Sequence, residues 1–587
     1  MRAAVFLLAL VASALADDSP APTPRAERGP DFGRRVHEAI RRGVAWLRTK
    51  QVADGLFSES ADGSAWSGWG GGWGTGGGYV GHWGGTWSVS TRYGNVAPVY
   101  VTLRACRVPN EDPCVRRAWD ALHLAAKDLR GTSKELERLR MSQAFDTGAM
   151  ALALIAIESH GERVDPADDQ STVRLSNDDA TWVAEFVTSL VALQHEDGGW
   201  RGDESAMGGR LLYPRAPDVH GYTHGVLLGL DAAARCGIAV DPAVWKKALD
   251  HLVAAQEPFG PSVRRGTPGD VADARTTRQI PVDRARGWGW THGNPDDTRA
   301  RVWSTGCGVA SVAICRRRLA GRPEMTKKLD ADSSRAVWDG LAWIGRNWPV
   351  DLPVDLSPRV RARTLLYGGY PAPNGYESIF RPCVDVASAG VLARVERMAD
   401  LDWYAYGAEP LLAMQARAGF WGSFYGEPTE DELKTANYKL IGHTCQALLF
   451  LGARAHRESH AVTPGNEVNF SGAATLAGPE FDAFVGTVIA RLRHADDLDA
   501  FDRLLDGATS VGPRIVEPLL LRLDTPDAGD RAAAHDLLVH ATGNDLGFDP
   551  DADAAVRADA LAKWQAWWLS VKDRLAYDPA TKRLVVK

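Results

Sequence analysis

The feature that most constrains this chain is an alternation. Between about residues 31 and 456, helices with one apolar stripe take turns with helices that are apolar almost all round. Trp182, Phe186, Leu190 and Leu193 recur at helical spacing, as do Val244, Ala248, Leu249, Leu252 and Val253, the pattern of a helix that buries one face. Gly148 to Ile157, Val226 to Leu230 and Ala447 to Leu451 offer no polar face, so they must be covered on several sides. One-sided helices are expected near 34–51, 113–130, 177–195, 241–256, 333–347 and 402–416. All-round apolar helices are expected near 92–105, 145–160, 220–236, 303–319, 382–398 and 438–455. Six outer and six inner helices in strict alternation predict an all-α fold, an (α/α)6 toroid barrel of six helical hairpins. An open superhelix of hairpins is the alternative.

The one-sided helices end alike. Gln51 to Phe57, Gln194 to Trp200 and Gln415 to Trp421 all fit Q-x-x-x-G-x-aromatic, and Arg42-Gly43-x-x-Trp46-Leu47-x-x-x-Gln51 is echoed by Lys247-Ala248-x-x-His251-Leu252-x-x-x-Gln256. Glycine suits the left-handed residue that closes a helix, glutamine can bond carbonyls left over at a helix end, and the aromatic packs back on that end. These are structural clasps. The pattern resembles the QW repeats of squalene and terpenoid cyclases and the related repeats of protein prenyltransferase β-subunits, over about residues 31–456. That resemblance implies an α6–α6 barrel, which agrees with the helix count.

Beyond Pro464 the pattern changes to short amphipathic helices near 480–493, 497–506, 511–523 and 528–541, then a last helix with Trp564, Trp567 and Trp568. Ile515 to Leu521 followed by Asp527 to Thr542 resembles a pair of HEAT-type helices. The expected organisation is a signal peptide at 1–16, a Pro-rich linker at 17–30, the toroid at 31–456, a linker at 457–475 and a HEAT-like helical domain at 476–587. The signal reading rests on Arg2, the apolar run Ala3 to Leu15 and small residues before Asp17. It places the protein outside the cytoplasm, periplasmic or extracellular. Net charge is -7, with no long basic run, which argues against nucleic acid as a partner. No internal apolar stretch is long enough to span a bilayer. Cys106 and Cys114 flank a turn-rich stretch that suits a local disulfide, while the seven cysteines as a whole do not describe a disulfide scaffold.

In a barrel of this kind, chemistry is expected where the chain enters the inner helices. Polar residues gather there: Asp146 and Thr147; His220, Tyr222 and His224; His292, Asp296 and Asp297; Cys307; Cys383 and Asp385; His443 and Cys445. Asp146, Thr147 and Thr305 also suit helix capping. The resemblance to class II terpenoid cyclases implies an acid from a D-x-D-D-T motif. Asn294-Pro295-Asp296-Asp297-Thr298 keeps its last three positions, so Asp296, Asp297 and Asp146 are the candidate acids. The resemblance to prenyltransferases implies zinc held by Asp-x-Cys and a histidine. Here Cys383-Val384-Asp385 carries the types in reverse order and His443 begins the next inner helix, giving Cys383, Asp385 and His443 as candidate ligands. His220 and His224 are one helical turn apart and are a weaker pair. Gly63 to Trp87, with five tryptophans among twelve glycines, suits a lid or aromatic platform.

With both family motifs altered, the expected function is that of a binding or scaffold protein, its partner a protein or an apolar small molecule. One rival is an enzyme acting on an isoprenoid or other apolar substrate through the acid or zinc. Another is a polysaccharide-active toroid.

Overall fold

A computed structural model describes residues 31–57, 96–129, 147–165, 171–200, 222–265, 282–289, 300–348, 380–422, 440–455, 468–493, 498–550 and 552–587. The first twelve helices among them are α1 (Phe32–Thr49), α2 (Val96–Ala105), α3 (Pro113–Leu129), α4 (Thr147–His160), α5 (Asn177–Ala192), α6 (Tyr222–Arg235), α7 (Pro242–Ala254), α8 (Val302–Leu319), α9 (Lys327–Asn347), α10 (Arg381–Leu392), α11 (Trp403–Met414) and α12 (Leu440–Ala455). Each falls on an expected helix. α9 starts earlier than its apolar stripe suggests, because Thr326 caps it by accepting the Leu329 N–H. α10 ends earlier, where the chain turns into the short pair β5 (Arg397–Met398) and β6 (Leu401–Asp402). Similar short antiparallel pairs, β1 (Glu162–Arg163) with β2 (Val173–Arg174) and β3 (Ser262–Arg264) with β4 (Val282–Arg284), join other elements.

The even-numbered helices pack on one another in the order α2, α4, α6, α8, α10, α12, and α12 also packs on α2. Each of the odd-numbered helices α1 to α11 packs against even-numbered ones, and α11 also meets α1. Side-chain caps start several odd-numbered helices: Ser176 accepts from Asp179 N, Asp241 from Ala243 N and Asp402 from Ala405 N. Each such cap contributes about 1 kcal/mol.

The clasps are where sequence becomes packing. Gln194 Nε2 donates to Gly198 O at 2.9 Å and to Val244 O of α7 at 3.0 Å. Gln51 does the same to Gly55 O and to Cys114 O of α3. Gln415 bonds Gly419 O at 2.9 Å and Ala39 O of α1 at 2.8 Å. So the glutamine not only finishes its own turn but ties it to the next odd-numbered helix, using a carbonyl's second lone pair. The glycine has no substitute here: Gly198 sits at φ 98°, and a Cβ on it would lie 2.1 Å from Lys247 O. The aromatic is buried, with Trp200 fully covered, and its indole N–H donates to Leu190 O at 2.7 Å, as Trp421 does to Leu411 O at 2.8 Å.

A fourth clasp is split. Gln256 Nε2 reaches Arg286 O and Ala336 O of α9, and its aromatic is Trp288, which donates to Leu252 O at 2.8 Å. The long insertion between Gln256 and Trp288 hides this copy in the sequence.

The remaining helices are α13 (Pro479–Arg493), α14 (Leu498–Ser510), α15 (Val516–Arg522), α16 (Ala528–Thr542) and α17 (Ala554–Val571). An antiparallel hairpin that the sequence reading did not anticipate, β7 (Leu575–Asp578) with β8 (Arg583–Val586), follows them. Buried apolar side chains fall into two clusters, one in α1–α12 and one in this last segment, and Trp564 belongs to the second. Among the described residues, α1 and Asp31 just before it touch this last segment. Arg34 donates to Asp536 at 2.7 Å in a buried pair, Arg493 to Asp31 at 3.1 Å, Arg41 to His540 Nδ1 at 2.6 Å, and His37 packs on Phe501. Cys106 and Cys114 are buried thiols that form no disulfide, and none of the other five cysteines forms one; four of those are buried and Cys236 is half-buried. Among the described residues no helix is long and apolar enough to cross a membrane.

Candidate functional site

The first turns of the even-numbered helices carry most of the expected chemistry. Part of it is spent on clasps. Thr223 Oγ1 accepts the Trp200 N–H at 2.9 Å, Thr305 Oγ1 accepts that of Trp288 at 3.1 Å, and Thr444 Oγ1 accepts that of Trp421 at 3.1 Å. Thr305 therefore serves its neighbour's clasp. α8 has no side-chain cap of its own.

A different trio converges. His224 on α6, Cys307 on α8 and Asp385 on α10 offer a ring nitrogen, a thiol and a carboxylate oxygen that all lie within 4.8 Å of one another. The three residues are 2%, 0% and 2% exposed. Each stands within the first two turns of its helix. Gly306 makes the convergence possible: a Cβ there would lie 2.6 Å from Asp385 O, so only glycine lets α8 bring its next residue, Cys307, so close to the α10 backbone. His224 Nδ1 is held by Ser311 Oγ at 3.1 Å, and His224 Nε2 is a buried atom without a hydrogen-bond partner. Burial pushes the imidazole down to about 4, so it is neutral at pH 7.

The trio differs from the sequence-derived ligand set. Asp385 is common to both. Cys383 and His443 are buried, but neither joins a group whose ligand atoms lie within that distance among the described residues. The reason is helical geometry, since residues two apart point about 200° apart. Asp385 faces Cys307 and His224, whereas burial, then Asp385, pushes the Cys383 thiol up. The His443 ring packs on Phe380 with centroids 5.1 Å apart. Asp146, Asp296, Asp297, His220 and His292 lie outside the described residues, as do the signal and linker segments at 1–16 and 17–30 and the Gly/Trp stretch 63–87.

The last turns of the same helices form a contrasting site. Asp231 of α6 accepts from Arg317 at 2.7 Å and Arg318 at 2.6 Å of α8 and pairs with Arg235. Arg235 also forks onto Glu158 of α4 at 2.9 and 3.0 Å, and Arg163 reaches Glu158 at 2.6 Å. Burial opposes the Asp231 charge, but Arg235, Arg317 and Arg318 together hold its carboxyl below the ordinary range. Between α2, α4 and α12 lies a small cleft of about 20 Å³ whose lining, Pro98, Val101, Leu152 and Leu449 among it, is almost wholly apolar.

No protein-family model matches this chain, and no curated protein matches it.

Proposed function

We propose that the chain is an exported α/α-toroid repeat protein of the cyclase and prenyltransferase repeat type, acting as a binding or scaffold protein. The order of helix contacts supports a closed ring of six hairpins, because α12 returns to α2 and α11 to α1. The last clasp supports it too. Gln415 bonds Ala39 O of α1 just as Gln194 bonds Val244 O of the helix that follows it. Residues 31–456 are the toroid and 476–587 a HEAT-like unit docked through α1, with the join in 457–475.

The observation that carries the scaffold reading is the use made of the inner-helix starts. Where the resembled enzymes keep reactive groups, Thr223, Thr305 and Thr444 are bonded to clasp tryptophans. A second reading, an enzyme on an isoprenoid or other apolar substrate, draws support from the apolar lining of the small cleft between α2, α4 and α12. Incubation of the purified chain with squalene and with farnesyl and geranylgeranyl diphosphate, followed by mass spectrometry, separates the two. The scaffold reading expects no product. Turnover that disappears in Asp296→Asn would replace it with the enzyme reading.

A further inference from the structure

We propose that His224, Cys307 and Asp385 form a zinc site joining three neighbouring inner helices. The site goes beyond the scaffold reading and does not depend on it. It also differs from the set the resemblance implies, which takes two ligands from one helix and one from the next.

Three features of the cluster point to a metal. First, the donors are an imidazole nitrogen, a thiol and a carboxylate within 4.8 Å of each other. Tetrahedral zinc with bonds of about 2.0–2.3 Å holds its ligand atoms about 3.3–3.8 Å apart, so the side chains draw in by roughly 1 Å. Second, His224 Nε2 is buried with no hydrogen-bond partner, an arrangement that is costly unless something fills it. Ser311 holds Nδ1, which is how ligating imidazoles are oriented, and leaves the Nε2 lone pair for the ion. Third, the charges balance. Binding displaces the Cys307 thiol proton to solvent, and one thiolate plus one carboxylate neutralise a dication beside a neutral imidazole, so a buried site carries no net charge.

The donor set also selects the metal. Calcium and magnesium take oxygen ligands, whereas a mixed nitrogen, sulfur and oxygen set suits zinc. Three protein ligands leave one tetrahedral position for a further ligand. Because the site is buried, zinc enters during folding and stays through dialysis.

The full chain, purified without chelators, should carry about one equivalent of zinc by elemental analysis. Protein produced in zinc-depleted, cobalt-supplemented medium should show tetrahedral cobalt ligand-field bands and a thiolate-to-cobalt charge-transfer band. The charge-transfer band should vanish in Cys307→Ser and persist in Cys383→Ser, with folding of both checked by circular dichroism. Wild-type chain that is folded yet carries no zinc above the buffer blank and no cobalt band overturns the proposal, whatever the variants do. So does a charge-transfer band that survives Cys307→Ser and is lost in Cys383→Ser.

Discussion

The two ends of the even-numbered helices solve the problem of buried polar groups in opposite ways. At their last turns, Asp231 and Glu158 are met by Arg163, Arg235, Arg317 and Arg318, so every charge has a protein partner of opposite sign. At their first turns, His224, Cys307 and Asp385 converge with a histidine nitrogen left without a partner. Arginine is suited to the first task, being always charged, planar and able to fork, and it sits where a helix end favours cations. The second set consists of groups that bind ions when deprotonated. An end completed by its own side chains is a brace, and at the other end the unpartnered His224 Nε2 faces the proposed ion.

The largest effect is expected at the braced end. Asp231→Ala removes the buried carboxylate shared by Arg235, Arg317 and Arg318 and should lower the free energy of unfolding by about 3–5 kcal/mol, the usual cost of breaking a buried pair. The loss should be the same with and without metal in urea titrations. A value below about 1 kcal/mol would show a pair no stronger than one at the surface.

Next come the clasps that hold the other end in place. Trp200→Ala removes a fully buried indole and its bond to Leu190 O, next to the backbone N–H that donates to Thr223, the neighbour of His224. A loss of roughly 3 kcal/mol is expected in thermal or urea unfolding. Gln415→Ala and Gln194→Ala each remove two bonds, about 2 kcal/mol in sum. A closed ring requires the two losses to match. A clearly smaller loss for Gln415→Ala would point to an open superhelix instead.

Most of the fold was legible, for a physical reason. Periodicity reports which helix face is covered, and the clasp words report the turn geometry that glycine and glutamine impose. Trp288 was missed because an insertion separates it from Gln256, so no fixed spacing exists to read. The β7–β8 hairpin was missed because Leu575 to Asp578 and Arg583 to Val586 are too short to show a period. His224, Cys307 and Asp385 were each visible as polar residues at inner-helix starts. Their grouping was not, since it depends on how three helices rotate and on how closely Gly306 lets two of them approach. The pairing of Glu158 and Asp231 was not legible, because most of their partners lie far along the chain.

The smallest effects are pH-dependent and have opposite signs. The Asp231 carboxyl is held below its ordinary range, so its stabilisation is complete above the unfolded value and is lost as pH falls through the lowered folded one. Glu38, on α1 facing the last helical unit, is pushed up to about 7 by burial first and then by Asp536, against Arg41, Arg42 and His535. Its charge is therefore a penalty above about pH 7, relieved as a proton binds between about 7 and the ordinary 4.5. Stability should rise between pH 8 and 6, and Glu38→Gln should flatten that rise, in urea unfolding followed across the pH range. A rise unchanged in Glu38→Gln would assign it elsewhere.

The contrast between the two ends is tested most directly by X-ray diffraction from crystals of the full chain at wavelengths on either side of the zinc absorption edge. A single anomalous peak should stand between His224, Cys307 and Asp385, present above the edge and absent below it, with none beside Asp231 and Glu158. Crystals with no zinc peak at that position, or with one at Cys383 and His443 instead, would contradict the account.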